Sequence, residues 1–135
     1  MDVHSKNIRS YNMSMIKSKD TKPELLLRKI LWNKGIRYRL HYKKLPGKPD
    51  ITITKQKKVI FVNGCFWHRH NCKYFKWPKT NSEFWKEKIQ NTVLRDALNY
   101  KNIKELGWDI LIIWECEIKN DLDSVIKEIE NYLNV

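Results

Sequence analysis

The stretch "FVNGCFWHRHNC" at residues 61–72 follows a strand-like run and sets two cysteines, two histidines and the adjacent rings Phe66 and Trp67 within a few positions of one another. Cys65, His70 and Cys72 offer two thiolates and an imidazole in C-x4-H-x-C spacing, and Cys116 can add a fourth ligand, a set that suits tetrahedral Zn²⁺. The spacing departs from the common C-x2-C pairs, and plain burial accounts for the same cysteines. His68 is left over. A strand-end histidine unspent on metal can move a proton, although a lone histidine is more often a hydrogen-bonded surface residue. Phe66, Trp67 and Trp85 fit either of two fates: ordinary core, or rings that stack on bases and wedge into a duplex.

Three acids stand out elsewhere. Asp50, in "GKPD", sits where a proline-bearing turn enters a strand, from which a carboxylate can face a phosphate and a hard cation such as Mg²⁺; a Pro-Asp pair is also an ordinary turn. Glu24 completes a Thr-x-x-Glu capping box with Thr21, which explains it without chemistry, yet it shares a helical face with Leu27 and Leu31. Asp96 lies on the apolar face of a long helix, where a carboxylate needs a partner to offset desolvation. Only a fold can bring the three together.

The elements that must position these residues are legible from periodicity. Residues 1–20 are polar with isolated apolar points, including Met13, and read as an arm or short helix. "TKPELLLRKILW" predicts a helix from about residue 21 to 34, with Pro23 early, Leu27, Ile30 and Leu31 as its buried stripe, and Gly35 as its stop. "IRYRLHY", "DITIT" and "KVIFV" predict three antiparallel strands across residues 36–62, a meander broken by "LPGKP" and the polar "KQKK" turn. "TNSEFWKEKIQNTVLRDALNYKNIKELG" predicts one long helix ending at Gly107, with Trp85, Ile89, Val93, Asp96, Tyr100 and Ile103 on one face. "WDILIIWEC" predicts a strand buried on both faces, and Leu122, Val125, Ile126, Ile129 and Leu133 space out a closing amphipathic helix. The expectation is an N-terminal arm over residues 1–20 and a single α/β domain over residues 21–135.

Composition bounds the function. The 135 residues suffice for one domain with its own core. No apolar run reaches roughly 18 residues and no leader pattern opens the chain, so the expectation is a soluble intracellular protein without membrane contact. Three cysteines cannot close a disulfide framework. A formal charge of +12 favours a polyanion, and its distribution sharpens the point: residues 1–49 hold thirteen Lys/Arg against three acids, whereas residues 115–135 hold two against six. Charge does not separate a nucleic-acid binder from an enzyme.

The stretches "DVHSKNIRSYNMSMIKSKDTKPE", "LPGKPDI", "VIFVNGCFWHRHNC", "FWKEKIQNTVLRD" and "LGWDILIIWEC", taken in order and spacing over nearly the whole chain, resemble the very-short-patch repair (Vsr-type) mismatch endonucleases, a branch of the PD-(D/E)xK nuclease superfamily. The resemblance implies a restriction-endonuclease-like mixed sheet flanked by helices, with a structural zinc site. It also implies a Mg²⁺-dependent nick in one strand beside a T:G mismatch left by 5-methylcytosine deamination. By the same resemblance Asp50 is the metal-binding aspartate, aided by the Val62 backbone carbonyl, and Glu24 positions metal-bound water. His68 handles protons and Asp96 orients it. Cys65, His70, Cys72 and Cys116 hold Zn²⁺. Phe66, Trp67 and Trp85 wedge beside the mismatch from the major groove, while Met13 enters from the minor groove. Double-stranded DNA carrying a T:G mismatch is the implied partner. A MutL-type mismatch-repair protein and a cytosine-5 methyltransferase share the pathway. The implied state is a monomer in the bacterial cytoplasm, associated with the nucleoid.

One departure stands within the resemblance. The family pattern has Thr-His before Gly-Cys, whereas this chain has Val62-Asn63. A carbonyl ligand survives that change, but Asn63 cannot transfer a proton near neutral pH and is left to hydrogen-bond a phosphate or water. Two other readings stand beside the first: a restriction-like or less mismatch-selective nuclease on the same scaffold, and a DNA-binding module with weakened catalysis, to which Asn63 points.

Overall fold

The structure, a computed structural model, describes residues 21–65 and 79–135. Helix α1 (Lys22–Asn33) carries proline in its first turn, where a missing N–H costs nothing, and its chain turns away at Gly35, whose φ of 90° suits glycine. Leu27 and Leu31 are fully buried on its inner face, as the 3.6-residue period requires. Thr21 makes no side-chain capping bond, so the expected capping box is not formed. Glu24 is thereby released from the helix end.

Strands β1 (Ile51–Ile53) and β2 (Lys58–Asn63) form an antiparallel hairpin in which Ile51 faces Ile60 and Ile53 faces Lys58. Helix α2 (Ser82–Glu105) then crosses to β3 (Asp109–Trp114), which runs parallel to β2 with Lys58 opposite Asp109 and Asn63 opposite Trp114. The sheet order is β1-β2-β3. Two further helices close the chain, the short α3 (Glu115–Asn120) and α4 (Leu122–Leu133); Asp121 between them accepts the Ser124 N–H at 3.1 Å as an N-cap.

Alternation along β2 divides the core into two layers. Ile60 and Val62 meet Leu27, Leu31, Ile113, Ile118, Val125 and Ile129 from α1, β3, α3 and α4. Val59 and Phe61 face the other way, onto Leu45 and Ile103, with Tyr100, Trp108 and Ile110 packed around them. The mixed sheet flanked by helices is therefore present, in a small three-stranded form.

Two expectations are corrected. "IRYRLHY" does not make a strand: it contributes a single bridge, Arg39 to Thr52, with backbone bonds of 2.9 and 3.0 Å. The reason is local, because His41 takes a φ of 54° and ends the extended run, and β1 offers only three residues to pair with. The strand buried on both faces is β2, not β3. No strand pairs with the outer edge of β3 among the described residues, and of its six residues only Ile113 is buried.

Candidate active site

Asp50 is set by the hairpin. It precedes β1 directly, so the antiparallel register that pairs Ile51 with Ile60 sets Asp50 opposite Phe61, one residue short of Val62. There the ladder has run out of β1 backbone, and the Asp50 side chain replaces it: its Oδ2 accepts the Val62 N–H at 2.7 Å. A residue's N–H and C=O leave a strand on the same side, so the Val62 carbonyl points to the edge where Asp50 stands.

Glu24 arrives from α1. Only 1% exposed, it is hydrogen-bonded to Asp50 on one side and held on the other by Arg28 Nη2, 2.7 Å from Glu24 Oε1. Arg28 follows one helical turn later, and its backbone carbonyl accepts the Tyr38 hydroxyl at 2.8 Å. Burial, and then the Glu24 carboxyl, raise Asp50 well above the usual carboxylate range, against the pull of the Val62 N–H and Arg28. Two carboxyl groups in contact inside a protein repel when both are ionised, and a hard divalent cation removes that repulsion. The donor set Asp50, Glu24 and Val62 carbonyl is all oxygen, the chemistry that Mg²⁺ prefers.

This cluster opens onto a cleft of about 770 Å³ whose walls include Asp50, Val62, Asn63 and, from α2, Asp96 and Tyr100, with Lys48, Lys88 and Arg95 adding positive charge. Asp96 is half-buried on the cleft side of α2. Asn63 continues the β2 face that holds Val59 and Phe61, so its side chain turns toward α2, where Nδ2 donates to the Tyr100 hydroxyl at 2.8 Å. Tyr100 also meets Phe61 edge to face, ring centres 5.0 Å apart. Burial, with Asp96 and Asp50 nearby, pushes the Tyr100 phenol up to about 12 against the Asn63 hydrogen bond.

Cys65 and Cys116 are both buried, at 4% and 6% exposure. Each lies two residues beyond the last parallel pair, Asn63 and Trp114, at the same end of the sheet. Between them, Gly64 sits so near Glu115 that an added Cβ would lie 3.3 Å from its Oε1. The described residues hold no group of three or more potential metal ligands, and His70 and Cys72 fall outside them. Met13, Phe66, Trp67 and His68 fall outside as well. Trp85 is described and faces inward, 9% exposed, whereas the ring that faces out from that first turn of α2 is Phe84, 48% exposed. The two rings meet edge on at 5.4 Å.

The structure thus brings Asp50, Val62, Asn63 and Asp96 to one cleft, with Glu24 buried behind it against Asp50. Two members of the site are additions. Arg28 could have been found from its i,i+4 spacing to Glu24 on the face of Leu27 and Leu31, and Tyr100 from its i,i+4 spacing to Asp96.

Comparison with known proteins gives the family. Residues 1–74 match the family model described as DNA mismatch endonuclease Vsr. The chain is 45% identical over 118 residues to the DNA mismatch endonuclease Vsr of Escherichia coli strain K12, covering 87% of this chain and 76% of that one. It is 41% identical over 136 residues to the type II nicking enzyme V.NmeAIP of Neisseria meningitidis serogroup A, covering 96% and 97%. It is 38% identical over 126 residues to the type II nicking enzyme V.XorIIP of Xanthomonas oryzae pv. oryzae, covering 93% and 92%. With matched family residues reaching from the polar N-terminal segment through the acidic pair to the cysteine stretch, this chain belongs to the Vsr family of DNA mismatch endonucleases.

Proposed function

We propose that this endonuclease nicks one strand of duplex DNA beside a T:G mismatch, the product of 5-methylcytosine deamination, and so begins very-short-patch repair. The observation that carries the reading is the contact between Asp50 and Glu24 at the edge of a cleft that also carries Lys48, Lys88 and Arg95. An acidic pair alone repels a phosphodiester. Joined to cations on the rim and to one divalent ion at its centre, it becomes a site for one.

Asp50 and the Val62 carbonyl would hold Mg²⁺, in the manner of a PD-(D/E)xK nuclease. Bound there, the ion supplies electrostatic stabilisation of charge developing on the phosphate. The chain does the rest. The Val62 N–H fixes the Asp50 carboxylate, and Arg28 fixes Glu24, which orients the attacking water. His68 handles the proton that hydrolysis moves, and Asp96 orients it. Phe66 and Trp67 enter beside the mismatch from the major groove and Met13 from the minor groove. A wedge role for Trp85 requires it to leave its buried seat. Cys65, His70, Cys72 and Cys116 would hold one structural Zn²⁺; the burial of Cys65 and Cys116, each two residues past the end of the β2–β3 pairing, supports this set. The protein acts as a nucleoid-associated monomer, in a pathway shared with a MutL-type protein and a cytosine-5 methyltransferase.

A second reading is less mismatch-selective nicking. Asn63 favours it, being turned onto Tyr100 where the family pattern has histidine. Nicking of otherwise identical T:G and matched duplexes, with Mg²⁺ and with chelator, separates the two. Mismatch nicking should require the cation; equal rates on both duplexes would establish the second reading, and no nicking of either would leave a DNA-binding module.

A further inference from the structure

Asn63 and Tyr100 form a pair that no part of the acidic cluster explains. Asn63 is 3% exposed, and a buried amide needs partners; its Nδ2 spends a donor on the Tyr100 oxygen at 2.8 Å. That bond occupies an acceptor position on the phenol oxygen, so the phenol's own O–H is directed away from Asn63. Tyr100 lines the cleft, and the charges that bear on its hydroxyl are those of Asp96 and Asp50. The ring itself is held at two points, by Phe61 edge to face at 5.0 Å and by Asn63 at the oxygen.

We infer that Tyr100 is a catalytic residue of this enzyme: its hydroxyl, aimed by Asn63, donates a hydrogen bond to a non-bridging oxygen of the phosphate being cut. Asn63 is the positioning residue, acting only through Tyr100. Hydrolysis forms a P–O bond from water and breaks another to the leaving oxygen, so charge gathers on the non-bridging oxygens, where a fixed donor stabilises the transition state more than the ground state. Tyr100 transfers no proton. Its phenol stays protonated across the working pH range, as burial and the neighbouring acids require. The inference also gives Asn63 a role that suits an amide: it orients a donor.

The inference rests on the cleft being the site of cleavage, which Asp50→Asn tests separately by abolishing nicking; nicking by that variant would move the chemistry elsewhere. With Asp50→Asn inactive, Tyr100→Phe should lower the single-turnover nicking rate at saturating Mg²⁺ roughly 10²-fold, with duplex affinity within about twofold of the parent. Tyr100→Phe also strands the buried Asn63 amide, so a lost rate alone does not distinguish chemistry from packing. The double variant Asn63→Leu/Tyr100→Phe removes both polar groups together and should recover the melting temperature but not the rate. A phosphorothioate at the nicked position should slow the parent enzyme for one diastereomer, and Tyr100→Phe should shrink that diastereomer's effect. A double variant that regains both stability and rate, or diastereomer effects unchanged in Tyr100→Phe, would overturn the assignment.

Discussion

Arg28 closes on Glu24 at 2.7 Å inside the protein, with side chains only 10% and 2% exposed, and this ion pair turns a helix-start glutamate toward Asp50. An exposed pair at i,i+4 contributes a few tenths of a kcal/mol, but a buried one behaves differently: removing one partner leaves an uncompensated charge. Arg28→Met should therefore destabilise the protein by about 3 to 5 kcal/mol in urea unfolding. Glu24→Gln/Arg28→Met should recover much of that loss. Equal losses in the single and double variants would mean that Arg28 acts through packing of its stem alone.

Asp50→Asn should abolish nicking while leaving mismatch binding largely intact, because it removes the charge proposed to hold Mg²⁺ and neither the rim lysines nor the proposed wedge residues. His68→Ala should lose less, roughly 10²- to 10⁴-fold, the usual contribution of a proton-transfer group. Paired measurements of nicking rate and duplex affinity check both.

Stability without metal should depend on pH through Asp50. Burial first, then Glu24, push its carboxyl up to about 8 in the folded protein, against about 3.9 in an unfolded chain. A group whose folded value is raised contributes stability fully below the unfolded value and loses it as pH rises through the folded one. The metal-free melting temperature should fall from weakly acidic to mildly alkaline pH. Asp50→Asn should flatten that slope, and Mg²⁺ should raise the melting temperature most at the alkaline end. A melting temperature that climbs over this range would refute the raised Asp50 carboxyl.

Protein purified without chelator should carry one tightly held zinc per chain, distinct from an exchangeable Mg²⁺. Cys72→Ser and Cys116→Ser should lose it and fold poorly, since a closed tetrahedral site contributes folding energy. Elemental analysis reads this directly, and a metal-free, stable parent protein would leave Cys65 and Cys116 as simple core residues.

Phe66→Ala and Trp67→Ala should leave the melting temperature nearly unchanged and lower the ratio of mismatch to matched-duplex affinity, because a T:G pair costs less to open than a matched pair. Matched-duplex binding and its salt dependence should hold, being set by phosphate contacts. A melting-point drop that matches a loss of about 3 to 5 kcal/mol, with an unchanged ratio, would return both rings to the core.

Much of this protein is written along the chain. Helices α1, α2 and α4 follow from a 3.6-residue apolar period, with glycine at the stops of α1 and α2, and the β1–β2 hairpin from two apolar runs around a polar turn. Asp50 was recognisable from its place before a strand, and Asp96 from its place on a helix face. These are local signals, readable within a window of a few residues. Tertiary structure decided what lay between windows. His41 turned a well-patterned strand into one bridge, because a single positive φ outweighs alternation when the partner strand has three residues. The missing capping bond at Thr21 freed Glu24 for Arg28 and Asp50, a choice among partners that depends on which one the fold brings within 3 Å. The pairing of Asn63 with Tyr100 joins residues thirty-seven positions apart, and the parallel register of β2 with β3, which ends at Asn63 and Trp114, is one that only the crossover through α2 can set. Burial and contact are properties of the packed chain, so the protonation of Asp50 and the inward turn of Trp85 exist only once the layers close.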